Sequence, residues 1–325
     1  MLSGSKFRRR QALVALVGGA LFLLLGLAGP LFAQSNPRFV TIGTASAAGA
    51  YYPLGVEMAQ IWNQAIPGTH FAARETGGSI ANMNLLASGQ IQVGLANENI
   101  AYAAVKGKAP FKNPINVMGG WILNESLGIF VALRSSGFTS VSDLRGKRIS
   151  LGSPGSSGND LGKLILEANG LAPGSYTPAY LGWQESADAL KDHFIDAAFF
   201  VGGSPFPAVS SLAVTTPITL LDFNVSKVRA FANYPYATAT IPAAMYNLQS
   251  DGKALAVRSI VYLSPSLPQE LVYKMVKAVF DNIPALKAAQ ASGGEAALLS
   301  KAAAADLDLT MHPGIVQYEK ELGKW

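Results

Sequence analysis

Short apolar runs and apolar residues at helical spacing alternate along the chain, with small residues between them. Arg38–Ile42 (RFVTI) reads as a strand and Gly43–Gly49 as a small-residue loop. Tyr52–Asn63 reads as a helix, because Leu54, Met58, Ile61 and Trp62 fall on one helical face. Phe71–Glu75 then leads through Thr76-Gly77-Gly78-Ser79 into a helix from Ile80 that Gly89 stops. Ile91–Ala96 leads through Asn97-Glu98-Asn99 into an apolar helix over Ile100–Val105. The same grammar returns in Lys147–Leu151, Gly152–Gly158 and Leu161–Ala168. Asp196–Val201 follows, leading into Gly202-Gly203-Ser204-Pro205, with proline suited to a first helical turn. Further on, Arg258–Leu263 reads as a strand and Leu271–Asn282 as a helix. Residues 285–305 read as an alanine-rich helical stretch, and Glu319–Lys324 as a solvated helix face.

Strands alternating with helices predict parallel α/β sheets. In such sheets a ligand sits outside the carboxyl ends of the strands, and all five small-residue turns fall at that edge. Two of them look like copies: shifting the chain by 109 positions lays Ile42-Gly43-Thr44 on Leu151-Gly152-Ser153 and Gly49 on Gly158. Small residues at a helix start leave backbone N–H groups unpaired and unshielded, so such a loop can hold an anionic oxygen. Two such loops facing each other would hold a small carboxylate between two lobes.

Length and composition set the scale. At about 150 residues per domain, 325 residues afford two cores, and 14% charged residues with 50% apolar ones exclude disorder. The N-terminus reads as an export signal over residues 1–33: Lys6, Arg8, Arg9 and Arg10 precede an uncharged run from Ala12 to Phe32, and Leu31-Phe32-Ala33 offers a cleavage site. Arg9-Arg10 leaves the twin-arginine route open. Losing those four basic residues lowers the net charge from +5 to +1, too little for a nucleic-acid footprint. Without cysteine there is no disulfide, thiolate metal site or cysteine nucleophile. The three histidines form no HExxH pair, and neither G-x-S-x-G nor GxxxxGK[ST] occurs. No enzyme activity, metal or cofactor is therefore expected. Two alternatives keep the same residues: a serine hydrolase whose triad assembles across the fold, and a ligand sensor held in the membrane by an uncleaved N-terminal segment.

TIGTASAAGAYYPLG, ETGGSIANMNLLASGQIQVGLAN, DLRGKRISLGSPGSSG, IDAAFFVGGSPFPAVSSLA and MHPGIVQYEKELG together resemble the TAXI family of extracytoplasmic solute-binding proteins, which serve TRAP transporters, across nearly all of residues 38–323. The resemblance implies a type II periplasmic-binding-protein fold, with two α/β lobes joined by two crossing strands and closing on a small carboxylate or an amino acid such as glutamate. It implies a periplasmic protein that hands its solute to TRAP membrane subunits. The family's first loop falls on Gly43–Pro53, so Thr44, Ser46, Tyr51 and Tyr52 are expected to face the ligand; Ala45, Ala47 and Ala48 depart from the family's glycine and threonine. Thr76, Gly77, Gly78 and Ser79 keep the TGGS motif, whereas Asn97-Glu98-Asn99 replaces the usual residues after the next strand. Ser153, Ser156, Ser157 and Asn159 are second-lobe candidates, Gly203 a backbone contact, and Glu125 a partner for a ligand ammonium. The implied lobes comprise residues 36–123 with 240–325, and residues 124–239.

Overall fold

The apolar runs form strands and the helical spacings form the helices between them. The computed structural model describes residues 39–325; the expected signal over 1–33 lies outside them. A ten-stranded mixed sheet runs through the described residues. At one end, β1 (Phe39–Gly43) pairs in parallel with β2 (His70–Arg74) and β3 (Val93–Asn97). At the other, β5 (Arg148–Ser150) pairs in parallel with β6 (Thr177–Ala179) and β7 (Ala197–Gly203).

Two long antiparallel strands tie these ends together: β4 (Met118–Leu133) and β10 (Gly252–Leu263), paired side by side. Residues 259–263 of β10 pair with β3, and residues 252–256 with β9 (Ala237–Ile241). Residues 126–131 of β4 pair with β7, and residues 130–133 with β8 (Ile218–Leu221). Each long strand thus changes partners partway along its length.

Helices cover both faces of the sheet, which explains why strands such as β7 are apolar throughout rather than alternating. Phe199 and Val201 join one buried cluster with Phe130, Ile149, Leu161 and Ile165, while Ala198 and Phe200 join another with Ile129, Val131 and Phe206. A third cluster gathers β1, β3, α1 (Tyr51–Ala65) and α8 (Gln269–Phe280), where Trp62 Nε1 donates to the Met275 carbonyl at 2.9 Å. Ile241, Tyr246 and Ala254 pack with Phe200, and Leu255 and Val257 with Phe199. The chain thus returns to the third cluster at Ile260.

Three local expectations change. The helix after β7 is α6 (Pro207–Thr215), so Pro207, not Pro205, occupies its first turn. The alanine-rich stretch is broken into α9 (Ile283–Ala289), a 3-10 turn (Ala291–Glu295) and α10 (Lys301–Asp306). A Cβ on Gly293 would lie 2.5 Å from the Leu286 carbonyl oxygen and 2.6 Å from Leu54 Cδ2, so the chain turns closely against its own preceding helix. Finally, Glu319 on α11 (Pro313–Glu321) is 2% exposed and not part of a solvated face.

Candidate functional site

The loops after β1, β2, β5 and β6 and the ends of β3 and β7 meet around one cavity. Ala45, Ser46, Gly49, Ala50 and Tyr51 come from the first loop, Gly77, Gly78 and Ser79 from the second, and Asn97 from the tip of β3. Gly152, Ser153, Ser156, Ser157 and Gly158 face them from the loop after β5, with Trp183 from the segment after β6 and Phe199, Val201 and Gly202 from β7. The space open to the centre of a water molecule is about 40 Å³, room for about three waters at roughly 10–15 Å³ each.

No lining residue carries a formal charge. Its electrostatics come from backbone: α1, α2 (Ser79–Ala87), α4 (Ser157–Ala168) and α5 (Trp183–Lys191) all begin at its wall. Each helix start carries unpaired N–H groups and the positive end of a dipole, so four of them together favour an anion. Part of this donor set is already engaged. The N–H groups of Ile80 and Ala81 both donate to the Gly155 carbonyl, at 3.1 Å each, which docks the loop after β5 on the start of α2.

Beneath the cavity runs a hydrogen-bonded network. Ser157 Oγ donates to Asn97 Oδ1 at 2.6 Å, the Asn97 backbone N–H donates to Ser79 Oγ at 3.1 Å, and Asn97 Nδ2 donates to Ser259 Oγ at 3.3 Å. Ser259 also pairs with Tyr51 OH at 2.6 Å and with Ser126 Oγ at 2.5 Å. Burial pushes the Tyr51 phenol up, against the pull of its hydroxyl partners, so it stays protonated. Ser126 on β4 and Ser259 on β10 carry the network onto the two long strands.

Of the residues singled out from sequence, Ser46, Tyr51, Gly77, Gly78, Ser79, Asn97, Ser153, Ser156 and Ser157 line this cavity. Others do not. Thr44 is fully buried and donates to the Arg74 carbonyl at 2.8 Å. Thr76 donates to the Thr44 carbonyl and to Asn82 Oδ1. Asn159 Nδ2 donates to the Gly152 carbonyl at 3.1 Å and to Ser156 Oγ at 3.1 Å, shaping the loop from behind. Tyr52 is half-buried beside Tyr51 and points elsewhere, as neighbours on a helix do. Gly203 sits where a side chain would strike the Asn124–Ser292 hydrogen bond. Glu125 lies in a different cavity of about 370 Å³, with Tyr102, Tyr234, Asp306 and the Glu98–Arg258 ion pair.

Sequence reasoning missed Trp183, Ser126 and Ser259. Gly182 ahead of an amphipathic helix was the available signal for Trp183. The two serines sit inside apolar strand runs and carried none.

The chain matches the NMT1-like family over residues 42–323. Among solved structures, a protein of Bordetella bronchiseptica RB50 superposes with a TM-score of 0.56 at 15% identity, covering 88% of this chain and 98% of that one. PhnD1 from Prochlorococcus marinus, in complex with methylphosphonate, gives 0.55 at 10% identity over 89% and 100%. The alkanesulfonate-binding protein SsuA from Xanthomonas axonopodis pv. citri, bound to MOPS, gives 0.50 at 16% identity over 84% and 91%. The fold is thus the α/β fold of type II periplasmic-binding-protein-like receptors. Matched over nearly its whole described length, the chain belongs to the NMT1-like family.

Proposed function

We propose that the protein is an extracytoplasmic solute receptor that closes on a small organic anion, its two halves meeting around the ligand, and makes or breaks no covalent bond. The carrying observation is the meeting of six strand ends and four helix starts at one uncharged cavity. Backbone N–H groups and serine hydroxyls there can replace an anion's water shell, and no acidic side chain repels it. Nor is there an acidic side chain to receive an ammonium, since Glu125 and Glu98 belong to the other cavity. This favours a simple acid over a zwitterionic amino acid such as glutamate. The methylphosphonate of one structural neighbour is likewise an acid without an ammonium group. The sequence resemblance supports a small carboxylate as solute, a periplasmic location and delivery to TRAP-type membrane subunits.

The energetics are undemanding. A micromolar dissociation constant needs about 8 kcal/mol, and one exposed helix start supplies only about 0.3–1 kcal/mol, so convergence and exclusion of water must supply the rest. The hydrolase alternative lacks support at the site. His70 and His193 are exposed, and the buried His312 accepts from the Gly314 N–H at the start of α11, so no imidazole faces the cavity serines.

A thermal-shift panel of acetate, pyruvate, succinate, glutamate, methylphosphonate and methanesulfonate tests the reading. An acid present at about a hundred times its dissociation constant stabilises the folded state by about 2.7 kcal/mol, a clear rise in Tm. A rise with one or more single-anion acids and none with glutamate is expected. A flat response across the panel would refute the reading.

A further inference from the structure

We propose that Trp183 sets the upper size limit of the solute; this rests on the receptor reading above. Trp183 is the first residue of α5, and the start of that helix is fixed by the Gly182 N–H donating to Glu185 Oε2 at 2.8 Å. Its indole reaches across the cavity between the two halves of the site. On β7, a Cβ added to Gly202 would lie 2.6 Å from Cη2 and 3.0 Å from Cζ2 of the ring. On the first loop, a Cβ added to Gly49 would lie 3.6 Å from Cζ3 and 3.7 Å from Cε3. The ring therefore lies over the bare backbone of Gly202 and within van der Waals reach of Gly49.

Its position is also pinned from behind. Phe206 meets the indole edge-on with centroids 5.1 Å apart, and Phe200 does so at 6.2 Å; both phenylalanines are fully buried. A ring held on this many sides cannot swing away at little cost. The about 40 Å³ left beside it admits a compact acid and excludes a longer chain. The residue acts as a wall and donates no hydrogen bond to the site's network, so its removal should change which solute fits more than how the anionic head is held.

Calorimetric titration with linear monocarboxylates from acetate to octanoate tests this in the native protein and in Trp183→Ala, Trp183→Phe and Gly202→Ala. Each excess methylene in a filled apolar pocket costs roughly tenfold or more. The native protein should prefer a short acid, and Trp183→Ala should move the preference to longer acids, binding them at least about tenfold more tightly than the native chain does. Gly202→Ala should push the ring into the cavity and weaken even the shortest ligand about tenfold, and adding Trp183→Ala to it should restore binding. Trp183→Phe, whose ring is smaller, should move the preference partway toward longer acids and serves if the alanine variant folds poorly. Ligand-induced fluorescence change should vanish in Trp183→Phe, since Trp62 and Trp121 are fully buried elsewhere and Trp325, the last residue, does not line the cavity. An unchanged chain-length profile in folded Trp183→Ala or Trp183→Phe, with native binding intact, overturns the assignment of Trp183 alone. A native protein that binds no acid overturns the receptor reading, and this assignment with it.

Discussion

Asn82 holds the first loop in shape. Fully buried, it donates through Nδ2 to the carbonyls of Gly43, Thr44 and Leu95 at 3.1, 2.7 and 2.7 Å, and accepts from Thr76 Oγ1 at 2.7 Å. One amide thus joins the tips of β1 and β3 to the TGGS turn. Asn82→Ala leaves these carbonyls without that donor and should cost about 3 kcal/mol, read as a lower urea midpoint at unchanged slope.

Glu319 makes a pH-dependent contribution. Its Oε2 is buried without a partner, and burial pushes its carboxyl up to about 7, with Lys324 pulling the other way. The folded state holds this proton more tightly than the unfolded chain, whose glutamate ionises near 4.5. The favourable contribution is therefore complete below about 4.5 and is lost as pH rises through about 7. Glu319→Gln should match the native protein at pH 4 and exceed it by about 1–3 kcal/mol at pH 8, as urea titrations at both pH values would show.

At the level of elements, the β-loop-α units were legible because each carries a local signal. β1 and α1 are set by their own apolar spacing, and the glycine turns mark the ends. The long strands β4 and β10 were not: Arg258–Leu263 revealed only the half of β10 that pairs with β3, since the lysine and small residues of Gly252–Ala256 break the apolar run. Strands whose value lies in pairing with residues over a hundred positions away leave a weak local trace. The same reason hid Ser126 and Ser259: Ser259 meets its partners Tyr51, Asn97 and Ser126 only through the folded sheet. Within the site, the loops singled out from sequence are those at the cavity, but the sequence did not show which side chains face inward. Thr44 and Ser46 read alike, yet the hydroxyl of Thr44 is committed to Arg74 and that of Ser46 is at the cavity.

For the whole molecule, loops from the two ends of the sheet touch across the cavity. The Ile80 and Ala81 N–H groups hold Gly155, and Ser157 holds Asn97. Gly77 permits this approach, because a Cβ there would lie 2.5 Å from the Pro154 carbonyl oxygen. The most direct test is calorimetric titration of the strongest-binding acid from the panel into the native protein and into the Ser79→Ala, Ser156→Ala double variant. One-to-one binding that weakens at least about tenfold in the double variant, about 1.4 kcal/mol, while that variant still unfolds in a single cooperative transition, is the predicted result; equal affinity in the two proteins would contradict it.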